Sequence, residues 1–139
     1  KSKDVMYLSG GIVWALTSYM YPGEAQKNYV ELSGKDITEF RQKLLSNYDE
    51  LARPAALYTI ANPETATAAK NNISRVAKTY DRRALTAGAI WLDELVKKVN
   101  AVNPNKKFIY PRYGYVGWIS GYIIKKVTHQ YTGMLAINK

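Results

Sequence analysis

Val5-Met6-Tyr7-Leu8-Ser9-Gly10-Gly11, running on through Ile12 to Tyr21 and halted at Pro22-Gly23, decides how the chain is read. The short apolar run ended by Ser-Gly-Gly suits a buried strand entering a tight turn. Ile12 to Tyr21, with Trp14 and Met20, is apolar on most sides, which predicts a helix covered over much of its surface. Proline followed by glycine stops it. The same order returns later: Phe108-Ile109-Tyr110, within 106–110, is a short strand stopped by Pro111, and Tyr115 to Val127 carries Val116, Ile119, Ile123 and Val127 on one helical face. Gly117 and Gly121 lie one turn apart there and permit close backbone approach. Two strands that each feed a helix are the sequence form of a parallel α/β sheet, so Val5–Leu8 and Phe108–Tyr110 are expected to be parallel neighbours.

The residues between them are mainly helical in pattern. Tyr29-Val30-Glu31-Leu32 alternates weakly, as a short strand does. Ser33 and Asp36 have the spacing of a capping box, and Ile37, Phe40, Leu44 and Leu45, with Tyr48 beyond, keep one apolar face. Pro54 is expected at the start of a short helix through Ile60. Asn62-Pro63 supplies an N-cap and a first-turn proline, with Ala66, Ala69, Ile73, Val76 and Ala77 as the apolar stripe. Leu85, Ala89, Leu92, Val96 and Val99 mark a longer helix that ends before Asn103-Pro104-Asn105. The expected fold class is α/β and mostly helical, with a small, mainly parallel sheet. It is one domain over 1–139: strand-turn-helix 4–23, helical segment 24–104, strand-helix 105–128, and an unassigned tail 129–139.

Twenty Lys and Arg against eleven Asp and Glu leave a net charge of +9, a field that draws polyanions. The cations occur as singles and pairs, without the long run of a nucleic-acid arm. There is no cysteine and one histidine, His129, so neither a disulfide scaffold nor a zinc site can be assembled. A Ser-His-Asp triad would need that same His129, and no nucleophile elbow surrounds Ser9 or Ser120. No apolar run reaches the length of a membrane helix and no secretory signal pattern is present. The expected compartment is the cytoplasm, with no membrane partner. The chain opens at Lys1-Ser2-Lys3-Asp4 immediately before an apolar run, and it reads as the C-terminal part of a larger protein.

Ser9, Gly10 and Gly11 are the candidate phosphate- or nucleotide-binding residues. Backbone N–H groups at a helix start are unpaired, the dipole there favours an anion, and glycine lets a phosphate approach without a Cβ. The turn lacks the lysine of a P-loop and the third glycine of a dinucleotide fingerprint. Asp36, Glu39, Asp93 and Glu94 read as solvated carboxylates. Tyr110, Tyr113, Tyr115, Trp118 and Tyr122 interleave with Lys106, Lys107, Arg112, Lys125 and Lys126, which supports a second reading: a noncatalytic interaction or nucleic-acid-binding module. A steep salt dependence of affinity would separate that module from a single-phosphate cradle, and no RNA-binding signature accompanies the run.

Taken together, two segments carry a resemblance. Tyr7-Leu8-Ser9-Gly10-Gly11 through Met20-Tyr21-Pro22-Gly23 resembles the adenosine strand-turn-helix of actin-like ATPases. Asn105 to Pro111, with Val116 to Gly121, resembles the last strand and helix of the same lobe. Ile37-Thr38-Glu39-Phe40, and Arg82-Arg83-Ala84-Leu85 through Leu92, are similar to helices of the exopolyphosphatase and guanosine pentaphosphate phosphohydrolase family. The chain departs from the family where Ile12 replaces a common Thr and where Gly114-Tyr115-Val116-Gly117 lacks an Arg.

The resemblance implies one lobe of an actin-like fold, forming one wall of a phosphate or nucleotide cleft in a phosphoanhydride hydrolase. The family's catalytic carboxylate lies N-terminal to these residues, so no catalytic residue is assigned and this chain alone is expected to be inactive. Mg²⁺ is implied for the larger protein only. The expected partners are the N-terminal part of the same protein, polyphosphate or a phosphorylated nucleotide, and a second copy of the chain meeting it through an uncovered sheet edge or apolar patch, unless the tail after His129 covers that surface.

Overall fold

The computed structural model describes residues 4–114, 120 and 122–128. Among the described residues three strands, β1 (Val5–Tyr7), β2 (Tyr29–Leu32) and β3 (Lys107–Pro111), form one sheet in the order β1-β3-β2. β1 and β3 are parallel, with Met6 opposite Phe108 and Tyr7 opposite Ile109, and the Leu8 amide extends the ladder by donating to the Ile109 carbonyl at 2.9 Å. The two glycine- and proline-bounded runs are thus neighbours, as expected. The sheet is mixed rather than mainly parallel, because β2 runs antiparallel to β3, with Val30 opposite Tyr110 and Leu32 opposite Phe108. The reason lies at one junction. The Asn28 carbonyl accepts from the Arg112 amide at 2.9 Å, so the chain enters β2 at the end where β3 leaves and must run back along it. Along β2, Val30 and Leu32 are buried while Tyr29 and Glu31 are exposed, the alternation of a sheet with one face on the core.

Between β1 and β3 lie five α-helices and two 3-10 turns: α1 (Gly11–Met20), α2 (Gly34–Ser46), α3 (Tyr48–Ala52), α4 (Pro63–Thr79) and α5 (Arg82–Val102), with the turns at Pro22–Glu24 and Ala55–Thr59. The caps act as their residues dictate. The Ser33 hydroxyl accepts from the Asp36 amide at 3.2 Å while Asp36 accepts from the Ser33 amide at 2.8 Å. Asn62 and Asp81 accept from the Thr65 and Ala84 amides and start α4 and α5. Pro54 caps a short helix as expected, one of 3-10 form over Ala55–Thr59 with Ile60 at its C-cap. Gly114, Ser120 and residues 122–128 are helical. The remainder of the predicted last helix, with Gly117, Trp118 and Gly121, and the tail from His129 lie outside the described residues.

One core joins sheet and helices: Leu16 and Tyr19 of α1, Ile37, Phe40 and Leu44 of α2, Val76 of α4, Leu85, Leu92 and Val96 of α5, and Phe108 and Tyr110 of β3. Leu45 and Ala77 are exposed instead, since each follows a buried residue by one position and turns about 100° away from the core face. Ile12 lies against α5: a Cβ added at Gly88 would stand 3.0 Å from its side chain, so glycine lets the two helices approach at this point. No helix among the described residues is long and apolar enough to cross a membrane.

Asp93 does not belong to a solvated face. It is 1% exposed and accepts from Thr38 Oγ1 and Arg41 Nη1 of α2 at 2.7 Å each, and from Lys97 Nζ at 2.8 Å. A second tie uses Arg82, whose Nε and Nη2 donate to the Leu44 and Leu45 carbonyls at 3.1 and 2.8 Å, with the guanidinium 5.5 Å from the centre of the Tyr48 ring. It satisfies carbonyls that the end of α2 leaves without intrahelical donors. Arg82→Ala is expected to cost about 1–2 kcal/mol in chemical denaturation. Arg82→Lys should recover only part of this, since an ammonium lacks the planar fork that spans two carbonyls.

Candidate functional site

Ser9, Gly10 and Gly11 sit where β1 ends and α1 begins. Gly10 has φ 114° and ψ 173°, the one positive φ among the described residues. L-residues rarely adopt this backbone, so the turn requires glycine there. A Cβ at Gly10 would meet nothing within 4 Å, so its side opens outward. Gly11 is glycine for a different reason: a Cβ there would overlap the Tyr80 hydroxyl, so the missing side chain admits Tyr80 rather than a ligand. Ile12, turned toward α5, also faces away from the turn. No side chain caps the start of α1, its first turn holds no acidic residue, and the helix closes on itself only when Trp14 N donates to Gly10 O at 3.0 Å. The amides of Gly11 to Val13 therefore have no intrahelical acceptor, and the dipole gives that end a partial positive charge.

Ser9 and Gly10 border a cleft of about 710 Å³ whose other walls are Trp14 of α1, Ala25 and Gln26, Asn71, Asn72 and Arg75 of α4, and Tyr110 to Tyr113 at the end of β3. It stands at the C-terminal ends of the parallel pair β1 and β3, the end of an open α/β sheet where ligands bind. Its described lining contains two arginines and no Asp, Glu or His. The two arginines differ in state. Arg112 donates from Nε to the Lys27 carbonyl and from Nη2 to the Glu24 carbonyl, both at 2.9 Å, and so holds the segment before β2 against the end of β3. Arg75 lies with its guanidinium carbon 5.3 Å from the centre of the Trp14 ring, and Trp14 meets Tyr80 edge-on at 6.4 Å.

Of the three residues singled out in the sequence, Ser9 and Gly10 thus line the cleft and Gly11 packs behind it. The α4 wall is not evident from the sequence. Its signal is a polar set at helical spacing, Asn71 and Arg75 one turn apart with Asn72 between them and the buried stripe of Ala69 and Val76. The basic and aromatic residues of 106–126 do not make one continuous face, because Tyr110 is in the core and Arg112 is engaged with backbone; Tyr115 and Trp118 lie outside the described residues. A second cleft of about 750 Å³ between α2 and α5 mixes Lys35, Glu39 and Lys97 and carries no single sign of charge.

Among the described residues no group of three or more His, Cys, Asp or Glu is placed to hold a metal ion, and the cleft lining offers no carboxylate. These residues offer no ligand set for Mg²⁺, which the family resemblance implies for the larger protein only. Compared with known protein families, curated proteins and solved structures, the chain matches none.

Proposed function

We propose that this chain binds the phosphate chain of a phosphoanhydride substrate and forms one wall of the cleft in an exopolyphosphatase-like hydrolase of the polyphosphate or guanosine pentaphosphate class. The observation that carries the reading is the Gly10 turn: an uncapped helix start, opened by a positive-φ glycine, faces a carboxylate-free cleft that holds arginine. Hydrolysis of a terminal phosphoryl group demands chiefly positioning and neutralisation of charge, and backbone amides with a guanidinium supply both. The cleft's described polar side chains belong to Ser, Asn, Gln, Arg, Tyr and Trp, and among them is no carboxylate or imidazole to serve as a general base. Activation of the attacking water then falls to the N-terminal part of the larger protein.

Calorimetric titration with inorganic tripolyphosphate tests this. The chain is expected to bind it without releasing phosphate. Gly10→Ala forces a Cβ into a positive-φ extended backbone that is essentially glycine-only, at a cost of about 1–3 kcal/mol, which either strains the turn or rotates its amides, and affinity should fall about tenfold. Absence of binding, or an unchanged affinity in Gly10→Ala, would refute the reading.

A further inference from the structure

We infer that Arg75 of α4 is the residue that grips the anionic phosphate chain in this cleft, with Arg112 serving only to hold the cleft's shape; the inference rests on the phosphate-binding reading above. The two guanidiniums lining the cavity are distinguished by what already occupies them. Arg112 spends Nε and Nη2 on the Glu24 and Lys27 carbonyls, and turning it to a ligand would release the loop it secures. Arg75 is exposed, and its guanidinium makes no hydrogen bond or ion pair with another described residue, lying instead over the face of Trp14.

Its placement follows from the helix. Trp14 N bonds to Gly10 O, so Trp14 stands about one turn, roughly 6 Å of rise, beyond the glycine. The Arg75 guanidinium, 5.3 Å from the Trp14 ring centre, is therefore presented beside the uncapped first turn of α1. A stacked guanidinium keeps its in-plane N–H donors available, because cation–π contact uses the face and not the edge. Trp14, itself braced edge-on by Tyr80, acts as a platform that reduces the freedom Arg75 must lose on binding. Asn71 and Asn72, one turn earlier on α4, add neutral donors along the same wall. The ligand chemistry that fits is two or more linked phosphates, one at the amides of α1 and the next on the fork of Arg75. That chemistry can arrive as inorganic polyphosphate or as a nucleotide.

The test titrates the chain with tripolyphosphate and, separately, with guanosine triphosphate, in the wild type, Arg75→Ala, Arg75→Lys and Gly10→Ala. The Trp14 indole N–H resonance, assigned through Trp14→Phe, is followed by NMR. Arg75→Ala is expected to weaken both ligands about tenfold or more, as loss of a bidentate charged contact does, with an unchanged circular dichroism spectrum. Arg75→Lys should restore only part of the affinity, and the Trp14 resonance should shift with ligand in the wild type but not in Arg75→Ala. Loss for tripolyphosphate alone, with no nucleotide binding, would leave Arg75 in its role and make the inorganic chain the source. Loss for the nucleotide alone would overturn the inference, since Arg75 would then be stacking on the base. Wild-type affinity in Arg75→Ala alongside weakened Gly10→Ala would overturn it and leave the phosphate-binding reading standing. No binding by the wild type would remove both.

Discussion

Phe40→Ala is expected to lower the unfolding free energy by about 3–5 kcal/mol, a large fraction of the roughly 5–15 kcal/mol that a domain commonly has. Phe40 is 0% exposed and belongs to the core cluster that joins α2 to α5 and the sheet. Removing the ring forfeits its transfer free energy and leaves a cavity between elements whose separation other residues hold. The Arg82 bonds to the end of α2 and the capping box at its start restrain the helix from moving inward to fill the space. Leu45→Ala, five residues along the same helix but half exposed, should stay within about 0.5 kcal/mol. Urea denaturation of the two variants, read at constant m-value, checks the contrast. A cost below about 2 kcal/mol for Phe40→Ala would mean that α2 repacks freely, and a larger cost for Leu45→Ala would reverse the assignment of the helix face. The cleft lies on α1, α4 and the end of β3, away from this contact, so the anion affinity of folded Phe40→Ala should be unaltered.

The elements themselves were legible because their signals are local. The Ser33 and Asp36 spacing became a capping box, Asn62-Pro63 an N-cap, and the Leu85 to Val96 period a buried stripe, each depending on residues within one or two turns. The parallel pairing of β1 and β3 could also be read, since each apolar run ends in a turn that feeds a helix. What the sequence did not disclose depends on separation in space. The direction of β2 is set by the Asn28–Arg112 contact, made across the sheet between residues far apart in the chain. Asp93 resembles any polar helix residue beside Glu94 until Thr38 and Arg41 arrive from α2. Gly11 looks like part of a phosphate cradle until Tyr80 fills the space beside it. The cleft's second wall was hidden for the same reason: Arg75 acquires meaning only where α4 brings it over Trp14.

Asp93→Asn carries the second large expected effect, a loss of about 2–4 kcal/mol at neutral pH. Burial works against the charged form of Asp93, but hydrogen bonds from Lys97, Thr38 and Arg41 outweigh it and hold the carboxyl at about 2, below its ordinary 3.8. An amide keeps the shape and can still accept from Thr38, but its charge no longer compensates Arg41 and its NH₂ group would face cationic donors. Arg41 and Lys97 are partly solvated, with side chains 32% and 50% exposed, and water takes up some of the loss, which keeps the cost below that of a fully buried pair. Because the folded pKa is depressed, the linked stability is complete above the unfolded value and drains away as pH falls through 3.8 toward 2. The gap between those values corresponds to about 2 kcal/mol. The wild type should therefore show an acid limb from about pH 5 down to pH 2 that is shallower in Asp93→Asn by this amount. Asp36, also held below its ordinary pKa, titrates in both proteins and cancels in the comparison. Glu39→Gln, which removes the exposed pair with Lys43, should change stability by less than about 1 kcal/mol and serves as the control. Parallel acid limbs in wild type and Asp93→Asn would show that the carboxylate is protonated equally in the folded and unfolded chain, and the tie between α2 and α5 would then owe nothing to its charge.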